Sequence, residues 1–185
     1  RVPLDWASLQ MNIGSALADL AKLEEGSASF QRAAAAYRAA LTVYERSASP
    51  REFGTIQFNL GNTLSQWGDR AGDAAVLAEA VAAYDQALLV RNVDAMPQEW
   101  GRTLYRRAYA LSMLGKMTGD SELLARSAEG YRAAIAVQEK ADTPDRVAAT
   151  RWGLGHVLVF LGDRTGDGAL FPGAAAALEA AVPFY

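Results

Sequence analysis

Cysteine is absent from the 185 residues, and histidine occurs once, as His156. The first absence excludes disulfides and thiolate metal sites and favours a reducing compartment such as the cytoplasm. The second leaves no set of imidazoles for a metal centre of known type, so His156 reads as a surface or groove residue. Apolar runs are short, because Gly, Asp or Arg interrupts each of them before the roughly 18 to 20 residues that span a bilayer. No transmembrane helix is expected, and no charged-then-apolar signal segment stands at the start. Excess charge is missing too: the net charge of −3 provides no basic field for a nucleic acid backbone. Finally, no nucleophile with a general base, no paired carboxylates and no metal-ligand set can be placed together. The expectation is a non-enzyme with no cofactor and no metal.

What the chain does have is alanine and repetition. Apolar residues make up 51% of it, much of that alanine, the best helix former and small enough for helices to approach closely. Pro3, Pro50, Pro97 and Pro144 are each 47 positions apart (50−3, 97−50, 144−97). In that register Leu17, Leu64, Leu111 and Leu158 share a column, as do Tyr37, Tyr84 and Tyr131, and Trp6, Phe53, Trp100 and Val147 share a third. Repetition with a period between about 20 and 50 residues is the signature of a solenoid, in which units bury their apolar faces only by stacking. The expected repeats are 3–49, 50–96, 97–143 and 144–185, in one all-α array. In this register Arg1-Val2 reads as the tail of a preceding unit, which implies a cut at the start.

Within the first unit, Trp6, Leu9, Ile13, Leu17 and Leu20 recur at three- and four-residue steps and predict an amphipathic helix A with Pro3 in its first turn. After a polar stretch over 22–29, Phe30, Ala33, Ala34, Tyr37, Ala40, Leu41 and Tyr44 predict a helix B. Gly68, Gly115 and Gly162 stand where helix A should stop, and Asp73, Asp120 and Asp167 where helix B should start. The first unit has Ala21 and Gly26 there instead, which predicts a less regular turn. The segment Gly68-Asp69-Arg70-Ala71-Gly72-Asp73 lacks the alternating oxygens of a calcium loop and the Gly-Lys-Ser/Thr end of a phosphate loop. Helix caps explain its Gly and Asp alike. Pro172 breaks the fourth unit, so helix B should restart with that proline in its first turn and run over 174–182. Leu170, Phe171, Phe184 and Tyr185 nearby mark an atypical cap or a face that a neighbour would cover.

The run Asn59-Leu60-Gly61-Asn62-Thr63-Leu64, followed by Ala80, Tyr84 and Ala87, resembles the tetratricopeptide repeat. Gly14, Leu17, Ala33, Tyr37 and Ala40 match in the first unit, Ala108, Leu111, Ser127, Tyr131 and Ala134 in the third, and Leu154, Gly155, Leu158 and Ala174 in the fourth. It is similar to the long bacterial variant in which Pro-Leu-x-Trp-Ala opens a repeat and a Gly-(Asp/Glu)-Arg turn joins the helices. That resemblance implies a right-handed superhelical solenoid of helix-turn-helix repeats serving as an interaction scaffold. Small residues at Gly14, Gly61, Ala108 and Gly155 would let helix B cross close to helix A, with the tyrosines filling the space between neighbouring units.

The resemblance places helix A on a concave surface. Its non-core columns hold Ser8, Asn12, Ser15 and Asp19, then Thr55, Asn59, Asn62 and Gln66, then Arg102, Arg106, Tyr109 and Met113, and lastly Ala149, Gly153, His156 and Phe160. Asn12, Asn59, Asn62, Arg102, Arg106, Tyr109 and His156 are the candidate peptide-binding residues. Arg102 and Arg106, with Arg107 adjoining and Arg151 in the next unit, form the densest positive group and suit a carboxylate. A partner protein segment, acidic or ending in a free carboxylate, is the expected ligand; a solvated polar face is the other reading. Asn59, Arg102 and Arg106 fall where some members of the family keep a carboxylate clamp, while Met11 and Ser15 stand where it would want Lys and Asn. Trp6, Trp67 and Trp100 read as packing residues and Trp152 as a groove edge, and Arg107, in the column of Ile13, Leu60 and Leu154, should snorkel or meet an acid. A structural or spacer role is the alternative, with a homo-oligomer formed through the terminal repeats.

Overall fold

The computed structural model describes residues 2–24, 26–141 and 143–184, without the side chains of residues 2 and 184. Among these residues there are helices and no strands, so the chain is all-α. They form two compact units. The first, Arg1–Arg91, holds α1 (Val2–Leu23), α2 (Ala28–Leu41), α3 (Pro50–Ala71) and α4 (Ala74–Leu88). The second, Asn92–Tyr185, holds α5 (Pro97–Thr118), α6 (Ser121–Lys140), α7 (Pro144–Thr165) and α8 (Phe171–Glu179). Inside each unit every helix packs on the next in sequence. No helix among the described residues is long and apolar enough to cross a membrane.

The odd-numbered helices begin alike because Pro50, Pro97 and Pro144 occupy the first helical turn, where a missing N–H costs nothing. They end four residues later than the glycine spacing predicts. Gly68 lies inside α3, Gly115 inside α5 and Gly162 inside α7, and the chain turns instead at Gly72, Gly119 and Gly166, with φ of 63°, 70° and 71°. Left-handed backbone of this kind carries little penalty only for glycine. The earlier glycines serve packing: a Cβ at Gly68 would lie 2.8 Å from Leu77 Cγ and 2.9 Å from the Leu77 backbone nitrogen. The next helix then starts on an aspartate. Asp73 accepts from the amides of Ala75 and Val76, and Asp120 from those of Glu122 and Leu123, each cap contributing about 1 kcal/mol. Asp167 caps only a 3-10 turn, Gly168–Leu170, after which Pro172 sits in the first turn of α8. That helix runs from Phe171 to Glu179 rather than over 174–182. In the first unit Ser27 caps α2 without a side-chain bond, which fits the less regular turn expected there.

Two further expectations need correction. Tyr44 lies beyond α2, in a turn, although it is buried and its hydroxyl meets Ser8 Oγ at 2.7 Å. Tyr37 and Tyr84 pack against the long helix of their own repeat: a Cβ at Gly14 would lie 2.8 Å from the Tyr37 ring, and one at Gly61 the same distance from Tyr84. Tyr131 does reach the next repeat, where its ring fits against Gly153 of α7. The apolar stripe of α1 is not core. Trp6, Leu9, Ile13 and Leu20 are exposed, Leu17 is half-buried, and Trp67 and Trp100 are also only half-buried. α1 instead buries Ala7, Gly14 and Ala21, the narrow small-residue edge on which α2 rides.

The arginine of the Gly-Asp-Arg run lies in the last turn of a long helix and has a specific task. Arg70 Nη1 donates to the carbonyls of Ala21 and Glu24, both at 2.8 Å, and its guanidinium lies 4.9 Å from the centre of the Phe30 ring. Arg164 Nε likewise donates to the carbonyl of Gly119 at 2.7 Å. Each arginine thus satisfies carbonyls left open at the end of the preceding long helix, where a positive charge also suits the helix dipole. Inside each unit it ties one repeat to the next.

Candidate functional site

The long helices carry the candidate residues, and each unit presents its own set. In the first unit, the column holding Ser15 and Asn62 faces the seam between a long helix and its partner. Ser15 Oγ and the Tyr37 hydroxyl lie 3.0 Å apart, and the Tyr84 hydroxyl donates to Asn62 Oδ1 at 2.9 Å. Burial holds the Tyr37 phenol above its ordinary pKa, with the Ser15 bond pulling the other way. Asn62 is therefore committed to a buried tyrosine, a duty that column reading did not foresee. Asn12 and Gln66 are exposed and Asn59 is half-buried, so the amide-rich character of this face stands at those three residues.

In the second unit the surface is basic and aromatic. Arg102 and Arg106 are exposed one turn apart on α5, and the Arg106 guanidinium lies 5.6 Å from the centre of the Tyr105 ring. Tyr109 is half-buried, and so is Arg107. Arg151 pairs through its Nη2 with Glu139 Oε1 at 2.7 Å. On α7, Trp152, His156 and Phe160 stand at successive turns and are all exposed. The Trp152 and His156 rings meet edge to face, with centroids 4.3 Å apart. Lys116 Nζ lies 5.8 Å from the centre of the Phe160 ring, and burial lowers the lysine's pKa. That contact joins the α5 surface to the α7 stripe.

No protein-family model matches the chain, and no curated protein matches it. Among solved structures, the "DHF58 filament" is similar over 99% of this chain and 94% of that one, at 16% identity and a TM-score of 0.55. The "DHF119 filament" aligns over 98% of this chain and 94% of that one, at 15% identity and a TM-score of 0.42. The first likeness shows the fold alone.

The cations of this surface are arginines and one lysine, and the ring of His156 packs edge-on against Trp152. Two contacts escaped the sequence reading. Lys116 and Phe160 join α5 to α7, a relation that only packing reveals. Arg91 is buried with its guanidinium 4.6 Å from the centre of the Phe58 ring; it shares a column with Tyr44 and Gln138, whose mixed chemistry hides a uniformly buried position.

Proposed function

We propose that the four helix pairs are tetratricopeptide-like repeats of the right-handed superhelical class that the sequence resembles. The chain acts as a non-catalytic interaction module, holding a segment of a partner protein on the exposed face of its long helices. The observation that carries this reading is the stripe of Trp152, His156 and Phe160 on α7, exposed where an isolated domain gains nothing from exposing aromatics. Tryptophan, tyrosine and arginine are the residue types that most often anchor interfaces, and Arg102 and Arg106 supply the second half of such an anchor. The ligand best suited to both is a peptide with an apolar or aromatic side chain beside an acidic group or a C-terminal carboxylate.

The test is fluorescence anisotropy with a library of acidic peptides in free-acid and amidated forms, repeated with the Trp152→Ala protein and the Arg102→Ala/Arg106→Ala protein. Loss of one anchor is expected to weaken binding at least about tenfold, the equivalent of about 1.4 kcal/mol, with the melting curve unchanged. Equal affinity for wild type and both variants would remove the reading.

A further inference from the structure

The apolar face of α1 has counterparts elsewhere in the chain, and there it is covered. Leu9 is 55% exposed, whereas Ile56 and Thr150, one and three repeats on in the same column, are 0% exposed. Ile13 is 37% exposed, against 6% for Leu60 and 8% for Leu154. In the first unit α2 packs on α3, and in the second α6 packs on α7, so each covered face lies against the preceding short helix. The last short helix shows the converse. Phe171 of α8 is 40% exposed, while its column partners Phe30 and Leu124 are 0% exposed. Ala175 is exposed where Ala34 and Ala128 are buried. α1 therefore lacks the short helix that covers α3 and α7, and α8 lacks the long helix that covers α2 and α6.

We infer that α8 of one copy docks on α1 of a second copy, head to tail, reproducing the contact between repeats that the chain already makes internally. Carrying the contacts between the first and second repeats across the junction specifies its content. Arg70 over Phe30 becomes Leu23 against Phe171, two exposed apolar side chains that would cover one another. The Arg38 to Glu79 ion pair becomes Glu179 facing Arg32, with the signs exchanged and the attraction kept. Stacked arrays normally end in repeats with a polar outer face, and neither of these faces is polar. A head-to-tail contact joins two different patches, each of which remains available on the copy at either end of an open chain. This goes beyond the binding of a partner segment and depends on different residues.

Sedimentation velocity of the intact chain over a wide concentration range tests the inference, using one variant for each end. Leu9→Glu/Ile13→Glu blocks the α1 face and Ala175→Glu/Val182→Glu the α8 end; all four positions are exposed, and circular dichroism of each variant checks its helix content. Wild type is expected to grow in mass with concentration and each variant to stay at 19.8 kDa, while an equimolar mixture of the two reaches twice that mass and stops. Because the chain has no cysteine, Leu23→Cys mixed with Phe171→Cys adds an independent readout, with a disulfide expected between the two variants. A wild type that remains monomeric throughout would overturn the inference, and would fit instead a further repeat of a longer chain covering α1. Association that survives in the α8 variant alone would also overturn it, because that is pairing of like faces.

Discussion

Removing the Arg70 guanidinium is the sharpest probe of how one repeat holds the next. The group donates to two carbonyls at the end of α1, both at 2.8 Å, and lies over the Phe30 ring. A hydrogen bond from a charged group contributes about 1.5 to 3 kcal/mol in a protected setting, but Arg70 is largely exposed, so the lower end applies. A cation over an aromatic ring at an exposed site adds about 0.5 to 1 kcal/mol. Arg70→Ala is therefore expected to cost about 2 kcal/mol. Arg70→Met, which installs the residue that the third repeat carries in this column as Met117, keeps some apolar cover of Phe30 and should cost about 1 to 1.5 kcal/mol. Arg70→Lys keeps the charge but cannot reproduce the planar fork, and should fall between wild type and Met. Urea denaturation followed by circular dichroism gives all three values, and a double-mutant cycle with Phe30→Leu separates the ring contact from the carbonyl bonds. If Arg70→Met and Arg70→Ala both unfold at the wild-type midpoint, the arginine does not tie the repeats together.

Gly61→Ala would gain up to about 1 kcal/mol of helix propensity, but its Cβ would lie 2.8 Å from a Tyr84 ring that is buried and held by Asn62; overpacking of about 1 to 3 kcal/mol should leave the protein about 1 kcal/mol less stable by thermal denaturation. Asp120→Ala deprives the Glu122 and Leu123 amides of their acceptor and should cost about 1 kcal/mol by the same assay, with Asp120→Asn recovering most of it. Burial holds the phenols of Tyr37 and Tyr131 above the ordinary value of about 10. Below that pH the folded and unfolded chains both keep these protons, and stability is unaffected by them. Above about 10 the unfolded chain releases them first, so stability falls as pH rises toward the folded values. Ultraviolet titration should show Tyr37 and Tyr131 failing to ionise before the helix signal is lost, and a complete titration of the folded protein would refute this.

Helical periodicity made the eight helices legible, and the 47-residue register made their order legible. The caps at Asp73 and Asp120 and the close approach at Gly14, Gly61 and Gly155 followed from local chemistry. The stop glycines did not, because each repeat from the second onward has two glycines four apart and only backbone conformation says which one turns. The first helix misled for a different reason. Its periodicity is that of α3 and α7, but burial also needs a covering element, and a column pattern cannot show whether one is there. Of the candidate residues, Asn12, Arg102, Arg106 and His156 are exposed as their columns imply. Asn62 carries the same polar signal yet serves a tyrosine hydroxyl, a distinction between a side chain meant for a ligand and one meant for a neighbour that polarity alone does not make.

The column of Arg70 reads Leu23, Arg70, Met117, Arg164, so arginine returns every 94 residues (164−70) while the helices return every 47. In crystallographic language the translational cell of this chain is doubled. A piece that keeps the tie from arginine to carbonyl when copied onto itself is two repeats long, and lengthening the chain by one repeat would put a thioether or an isobutyl group in the place of that arginine. Growth in steps of two would keep the pattern intact.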